Sequence, residues 1–311
     1  MNPKLETVAI IGVGLIGGSL GLALRRRHLV KGVIGIGRRR ESLERAIKVG
    51  AVDTVTTDPA LGVKEADLVV LATPVGNIIP LLSRILPHLK PGAIITDVGS
   101  TKKEIVAQAD SLVPAHLYFV GGHPLAGAES SGVDNATGQL FVGATWVLTP
   151  TSKTNPQALS KISSLYQAIG ARVVEMDSAE HDRMVAVSSH LPHVLAASLV
   201  NLFSQYSEQD DRLNSLVAGG FRDMTRIAAS SPVLWRDICL ENQGPLLEVL
   251  SRFKNMLDHW ELMIRQGKED ELLEEFAKAQ RRRTQMTDID HGLIANRELR
   301  IANCECNYSG R

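Results

Sequence analysis

Val8-Ala9-Ile10-Ile11-Gly12-Val13-Gly14-Leu15-Ile16-Gly17-Gly18-Ser19-Leu20 decides the fold of this chain. Val8 to Ile11 is a short apolar run, the mark of a parallel strand buried on both faces. Glycines follow at 12, 14 and 17, and helical spacing begins at Leu20, Ala23 and Leu24. Strand, G-x-G-x-x-G and helix thus come in the order that dinucleotide binding requires. The first glycine permits the tight turn, the second lets the backbone approach a pyrophosphate, and the third lets helix pack on strand. Free N–H groups at the helix start then meet the phosphates. Gly12, Gly14, Leu15, Ile16 and Gly17 are therefore the expected cofactor loop, where the bland alternative is a glycine-rich turn of an unrelated α/β domain.

Working outward, Val33 to Ile36 reads as the second strand. An acidic residue commonly follows it and bonds the ribose hydroxyls of NAD. Here Gly37 stands in that place, followed by Arg38, Arg39 and Arg40. Guanidinium forks suit a 2′-phosphate, so Arg38 and Arg39 favour NADP over NAD. Further strands are expected in Asp67–Val75, Ala93–Ser100, Thr145–Leu148 and Ala171–Glu175. Ligands of an open parallel sheet gather beyond the carboxyl ends of its strands, which singles out Thr73, Pro74 and Ser100. Ser100 also suits a helix N-cap. The expectation is an α/β N-terminal Rossmann-like domain over residues 1–178.

Gly121-Gly122-His123-Pro124-Leu125-Ala126-Gly127-Ala128-Glu129 reads as a loop, since glycine and proline flank the histidine. An imidazole fixed at one point, combined with a dinucleotide loop, suggests a redox enzyme in which His123 moves a proton. After Asp177 the pattern turns helical. Apolar stripes run from Met184 to Leu202, from Leu247 to Ile264 and from Leu272 to Ala279. They imply an all-α C-terminal domain over residues 179–293 that makes a homodimer, followed by a loose tail over 294–311. Pro192 interrupts the first stripe beside His190 and His193, which marks a site or a structural pair of histidines. Arg222 and Arg226 are four apart on one expected helical face, and Asp223 is placed to orient Arg226. Such an arginine suits a carboxylate, although a surface ion pair is the plainer reading.

Composition narrows the remaining classes. With 34 basic and 34 acidic residues among 311, the chain has no net charge to drive nucleic-acid or anionic-membrane binding. No uninterrupted apolar run reaches the ~18 residues of a membrane helix, and no signal peptide is read at the start. Cys239, Cys304 and Cys306 have neither metal-ligand spacing nor a disulfide pattern. A small-molecule enzyme of the cytoplasm, without a metal, fits best.

GVGLIGGSL, ADLVVLATPV, TDVGSTK, GGHPLAGAESSGV, SHLPH and GFRDMTRIA, followed by Ser231-Pro232 and Trp235-Arg236-Asp237-Ile238, resemble in their order the prephenate/arogenate dehydrogenase family over residues 5 to about 290. The resemblance implies oxidative decarboxylation of a cyclohexadiene that carries a ring carboxylate and a para hydroxyl. It implies that His123 accepts the hydroxyl proton, that Ser100 sits beside nicotinamide and that hydroxyl, and that Arg226 holds the ring carboxylate. His193 would lie near the substrate side chain, Glu129 and Asp223 would be supporting or gating acids, and Trp235 would line the pocket. Prephenate is expected as substrate, with arogenate, or both, as the alternative. With no regulatory domain or mutase segment read in the chain, the enzyme is expected to be monofunctional, and any tyrosine inhibition would act at the active site. Other two-domain dehydrogenases, of the β-hydroxyacid or pyrroline-carboxylate type, and a catalytically silent NAD(P)-binding protein are the competing readings.

Overall fold

Strand and helix alternate from the first turn of the chain. The computed structural model describes residues 5–127 and 131–286. β1 (Thr7–Ile11), α1 (Leu15–Arg26), β2 (Gly32–Ile36), α2 (Arg40–Lys48), β3 (Thr54–Thr56), α3 (Pro59–Val63), β4 (Leu68–Leu71), α4 (Ile78–Ile85), β5 (Ile94–Asp97), α5 (Lys103–Leu112) and β6 (Tyr118–Pro124) come first. β7 (Thr145–Thr149), α6 (Pro156–Ala168) and β8 (Arg172–Glu175) complete an eight-stranded sheet in the order β3-β2-β1-β4-β5-β6-β7-β8.

Alternation along each strand feeds two cores. Val8, Ile10, Leu68 and Val70 pack with Leu20 and Leu24 of α1 on one face. Ala9, Ile11, Val69 and Leu71 pack with Ile78 and Leu82 of α4 and Ile105 of α5 on the other. Burial on both faces is why these strands read as unbroken apolar runs. The order reverses at β1, which lies between β2 and β4, and that crevice opens at Gly12 and Thr73.

One pairing in this α/β sheet runs against the others. β6 pairs antiparallel with β7, in the register Gly122↔Leu148 and His123↔Val147. A parallel neighbour needs a crossover, usually a helix. The segment between β6 and β7 carries, among the described residues, only a 3₁₀ turn at Val133–Asn135. His123 departs from expectation, since it lies on β6 and not in a loop. The glycines before it serve close packing. A Cβ on Gly121 would stand 2.4 Å from Thr149 Oγ1, and one on Gly122 2.9 Å from the Asp97 carbonyl oxygen.

Beyond the sheet come α7 (Ser178–Val185), a π-helical turn (Ala186–His190), α8 (Leu191–Ser207), α9 (Gly219–Thr225), α10 (Pro232–Glu241) and α11 (Gln243–Gln266). A further helix covers 269–286. Pro192 does not break the helix. It sits in the first turn of α8, where its missing N–H is tolerated, and the backbone widens into the π turn just before it. By length and apolar composition alone, Ser178–Ser207 could cross a membrane. Its His181, Asp182 and His190 are buried and hydrogen-bonded to polar partners, while along α8 only Ala196 is fully buried in the single chain.

One compact unit ends at Leu246 and a second begins at Leu247. The first holds the whole sheet together with α7 to α10. In the second, Trp260 packs on Phe276 with ring centroids 4.8 Å apart.

Candidate active site

The turn between β1 and α1 fits a dinucleotide. Gly12 has φ of 100°, and a Cβ there would lie 2.2 Å from the Ala72 carbonyl oxygen. A Cβ on Gly17 would lie 2.2 Å from the Gly12 carbonyl oxygen, whereas at Gly14 nothing stands within 4 Å. The close approaches hold the turn against β4, and the open space lies where a ligand needs it. No side chain caps α1, and its first turn has no acidic residue. Its N–H groups are thus available to phosphate oxygens. Next to this turn the Thr73 hydroxyl is buried without a hydrogen-bond partner among the described residues. At the end of β2, Arg40 is engaged by Glu44 at 3.2 Å, while Arg38 and Arg39 are exposed and make no ion pair among the described residues.

A second cluster lies at the carboxyl ends of β5 and β6. Asp97 ends β5 and accepts hydrogen bonds from the backbone N–H groups of Gly99 (2.8 Å) and Gly122 (3.1 Å). The fully buried Lys102 pairs with Asp97 and donates to the Gly122 carbonyl oxygen at 3.0 Å. These bonds tie the β5–α5 turn to β6 one residue before His123. Ser100 lies in that turn, half-buried. Its expected N-cap role is not seen, because α5 begins later, with Lys102 at the cap position.

His123 is 9% exposed, and its Nδ1 lies 2.8 Å from Nε2 of His181. His181 Nδ1 lies 2.7 Å from Asp182 Oδ1. The Asp182 carboxylate accepts the N–H groups of Lys102 (2.7 Å) and Lys103 (2.9 Å), which joins α7 to the start of α5. Asn242 donates to the Asp182 carbonyl oxygen at 2.8 Å and lies 3.0 Å from His190 Nδ1. His190 meets Trp235 edge-on at 5.9 Å, and His193 stacks on the same indole at 3.5 Å. His193 Nδ1 is held by the Ser189 carbonyl oxygen at 3.0 Å, in the widened turn. Burial, then the neighbouring His181 and Lys102, hold the His123 pKa well below the ordinary imidazole range. Burial pushes His190 down to about 4 and lowers His193 as well.

His123, His193 and Trp235 thus belong to one connected cluster, and Ser100 stands beside it on the β5–α5 turn. Pro74 leads into a 3₁₀ turn, Val75–Asn77, that packs against α10, the helix of Trp235. Asp223 is exposed on α9, and Arg226 is the exposed first residue of a 3₁₀ turn that packs against α8. Glu129 lies outside the described residues. Asp97, Lys102, His181, Asp182 and Asn242 were not singled out from sequence. A signal existed for two of them: His181 and Asp182 are polar, yet share a helical face with the apolar Val185 and Ala186. The described residues hold no group of three or more His, Cys, Asp or Glu arranged for a metal.

A doubly wound sheet with an uncapped glycine turn at its switch point, and a buried neutral histidine at a neighbouring strand end, defines a nicotinamide-dinucleotide-dependent dehydrogenase. Residues 20–175 match the model of the prephenate dehydrogenase nucleotide-binding domain, and residues 177–278 match that of the prephenate dehydrogenase dimerization domain. The chain belongs to the prephenate dehydrogenase family. Prephenate dehydrogenase of Bacillus subtilis is 40% identical, with 90% of this chain and 76% of that one covered. Cyclohexadienyl dehydrogenase of Zymomonas mobilis is 37% identical, over 91% of this chain and 97% of that one. The crystal structure of Aquifex aeolicus prephenate dehydrogenase with hydroxyphenyl propionate and NAD+ superposes with a TM-score of 0.86 at 33% identity, covering 92% of this chain and 100% of that one.

Proposed function

We propose that this enzyme oxidatively decarboxylates prephenate to 4-hydroxyphenylpyruvate, with NADP preferred over NAD. The observation that carries the reading is a buried, neutral His123 at the carboxyl end of β6, anchored through Nδ1. Gly12, Gly14, Leu15, Ile16 and Gly17 hold the pyrophosphate, Thr73 and Pro74 border the cofactor, and Arg38 and Arg39 take the 2′-phosphate. Bound there, the nicotinamide supplies the hydride acceptor for the substrate carbinol.

His123 accepts the hydroxyl proton at Nε2, and Ser100 positions that hydroxyl. Arg226 binds the ring carboxylate, with Asp223 and Glu129 in supporting places. That carboxylate departs as carbon dioxide while the ring becomes aromatic. An arginine that held it equally tightly throughout would stabilise the ground state as much as the transition state. Arg226 therefore contributes to binding and His123 to turnover.

His193, stacked on Trp235, faces the keto end of the side chain. Arogenate, with an amino group there, is the second reading, favoured by the likeness to a cyclohexadienyl dehydrogenase. Exposed Leu247, Met256, Leu257, Ile264, Leu273 and Phe276 support a homodimer built through the second unit. We place the enzyme in the cytoplasm, with a small-molecule substrate and no nucleic-acid or membrane partner.

The test is turnover with prephenate or arogenate, each with NAD or NADP, followed by absorbance of the reduced cofactor. The prephenate–NADP combination is expected to be fastest. Silence in all four, from folded protein that binds cofactor, overturns the reading. His123→Asn should lower kcat by about 10²–10⁴-fold, and Arg226→Ala should chiefly raise KM. A histidine variant altered only in KM removes His123 as base.

A further inference from the structure

We infer that His181 and Asp182 set the tautomer of His123, leaving Nε2 as its one basic atom. The inference rests on His123 being the base in the reaction proposed above, and it concerns how that base is kept in working form. The argument follows protons along three side chains. Both carboxylate oxygens of Asp182 accept backbone N–H groups, from Lys102 and Lys103 at the start of α5. That placement suits an anion, since the donors belong to a helix N-terminus. An ionised carboxylate only accepts, so the His181 nitrogen 2.7 Å from Oδ1 must carry a proton. His181 is thereby the Nδ1–H tautomer, and its Nε2 holds a lone pair.

His123 Nδ1, at 2.8 Å from that lone pair, must in turn donate. A neutral imidazole has one N–H. With it committed at Nδ1, Nε2 of His123 is bare and can take a proton from substrate. The opposite assignment needs a doubly protonated His181. It would then donate to His123 Nδ1, and His123 would present Nε2–H and accept nothing there. Two features oppose it. His181 lies early in α7, close to the positive end of that helix. The buried ammonium of Lys102 belongs to the same cluster.

His181 and Asp182 are thus positioning residues: neither touches substrate in this scheme. Lys102 couples the parts, because its backbone N–H orients Asp182 while its side chain ties Asp97 to β6. One short turn therefore fixes the orienting carboxylate and the strand that carries the base.

The experiment uses full-length protein with ¹⁵N-labelled histidine, the His123 signals being found by difference from His123→Asn. At a pH where His123 is neutral, its proton is expected on Nδ1. In His181→Leu that preference should be lost, and kcat should fall about 10²-fold with KM little changed. His181→Gln, whose side-chain oxygen reaches toward Nδ1–H, should recover much of both. It also serves as the test variant if the leucine protein does not fold. A wild-type His123 protonated at Nε2 overturns the inference, and so does an Nδ1–H preference that survives in His181→Leu. If His123→Asn keeps its kcat, the base reading fails by itself. If His123→Asn is inactive while His181→Leu turns over normally, the base reading stands and the pairing falls.

Discussion

Burial keeps His190 neutral, with its pKa pushed down to about 4 beside Asn242 and the Asp182 carbonyl oxygen. Unfolding releases it to an ordinary value near 6.5. Between those values the unfolded chain binds a proton that the folded chain does not, so stability is complete above about pH 6.5 and declines as pH falls toward 4. The loss from this residue alone reaches about 3 kcal/mol at most. Urea midpoints measured at pH 7 and pH 5 should therefore fall, and fall less in His190→Gln than in the natural protein. Arg38 and Arg39 carry a different prediction. Replacing both by alanine should raise KM for NADP at least tenfold more than KM for NAD, and equal effects in the steady-state assay would remove them as 2′-phosphate ligands. At this scale sequence legibility divided along a physical line. Residues proposed to face a ligand, such as His123 and the glycines of the β1–α1 turn, stand in motifs that drew attention by their spacing. Asp97, Lys102 and Asp182 act through backbone N–H and C=O groups brought together by folding, and no local spacing reports that.

The β1–α1 turn separates two uses of glycine within three residues. Gly12 is needed by the backbone, through its positive φ and the Ala72 carbonyl oxygen at 2.2 Å from any Cβ. Gly14 has open space around it. Gly12→Ala should therefore destabilise the fold by about 2 kcal/mol or more. Gly14→Ala should leave Tm nearly unchanged while weakening dinucleotide binding, as read by calorimetry. A lowered Tm in both would mean that Gly14 is structural. β1, β2, β4 and β5 were legible because burial on both faces writes them as apolar runs. β6 was not, because Gly121, Gly122 and Pro124 carry the usual signs of a turn. The smallness of the two glycines serves contact with Thr149 and Asp97, which come from elsewhere in the chain. The reversal of β7 was hidden for a related reason: strand direction depends on the connection, and an apolar run looks the same in either sense.

For the whole molecule, the α/β and all-α halves could be read from the change in hydrophobic period near Asp177. What packs with what could not, since α7 to α10 join the compact unit of the sheet up to Leu246. The second unit offers the test of assembly. Leu257 and Phe276 are 51% and 65% exposed in the single chain. Leu257→Lys with Phe276→Asp should convert a dimer to a monomer in sedimentation, and an unchanged mass would place the contact elsewhere. The unbroken rod from Ser178 to Ser207 adds a constraint of phase. It carries His181, which touches His123, and twelve residues later His193, which stacks on Trp235. The π turn lies between them and sets their angular offset. Each residue of an α-helix turns the axis by about 100°. Deleting one residue from Ala186–His190 would close the turn into regular helix with His193 kept close to its present phase, whereas inserting one residue there would swing His193 around the rod with His181 left in place. With His123 as the proposed base and His193 at the proposed substrate tail, the two are geared to each other through one adjustable joint, and a single-codon insertion there alters the gearing without touching either tooth.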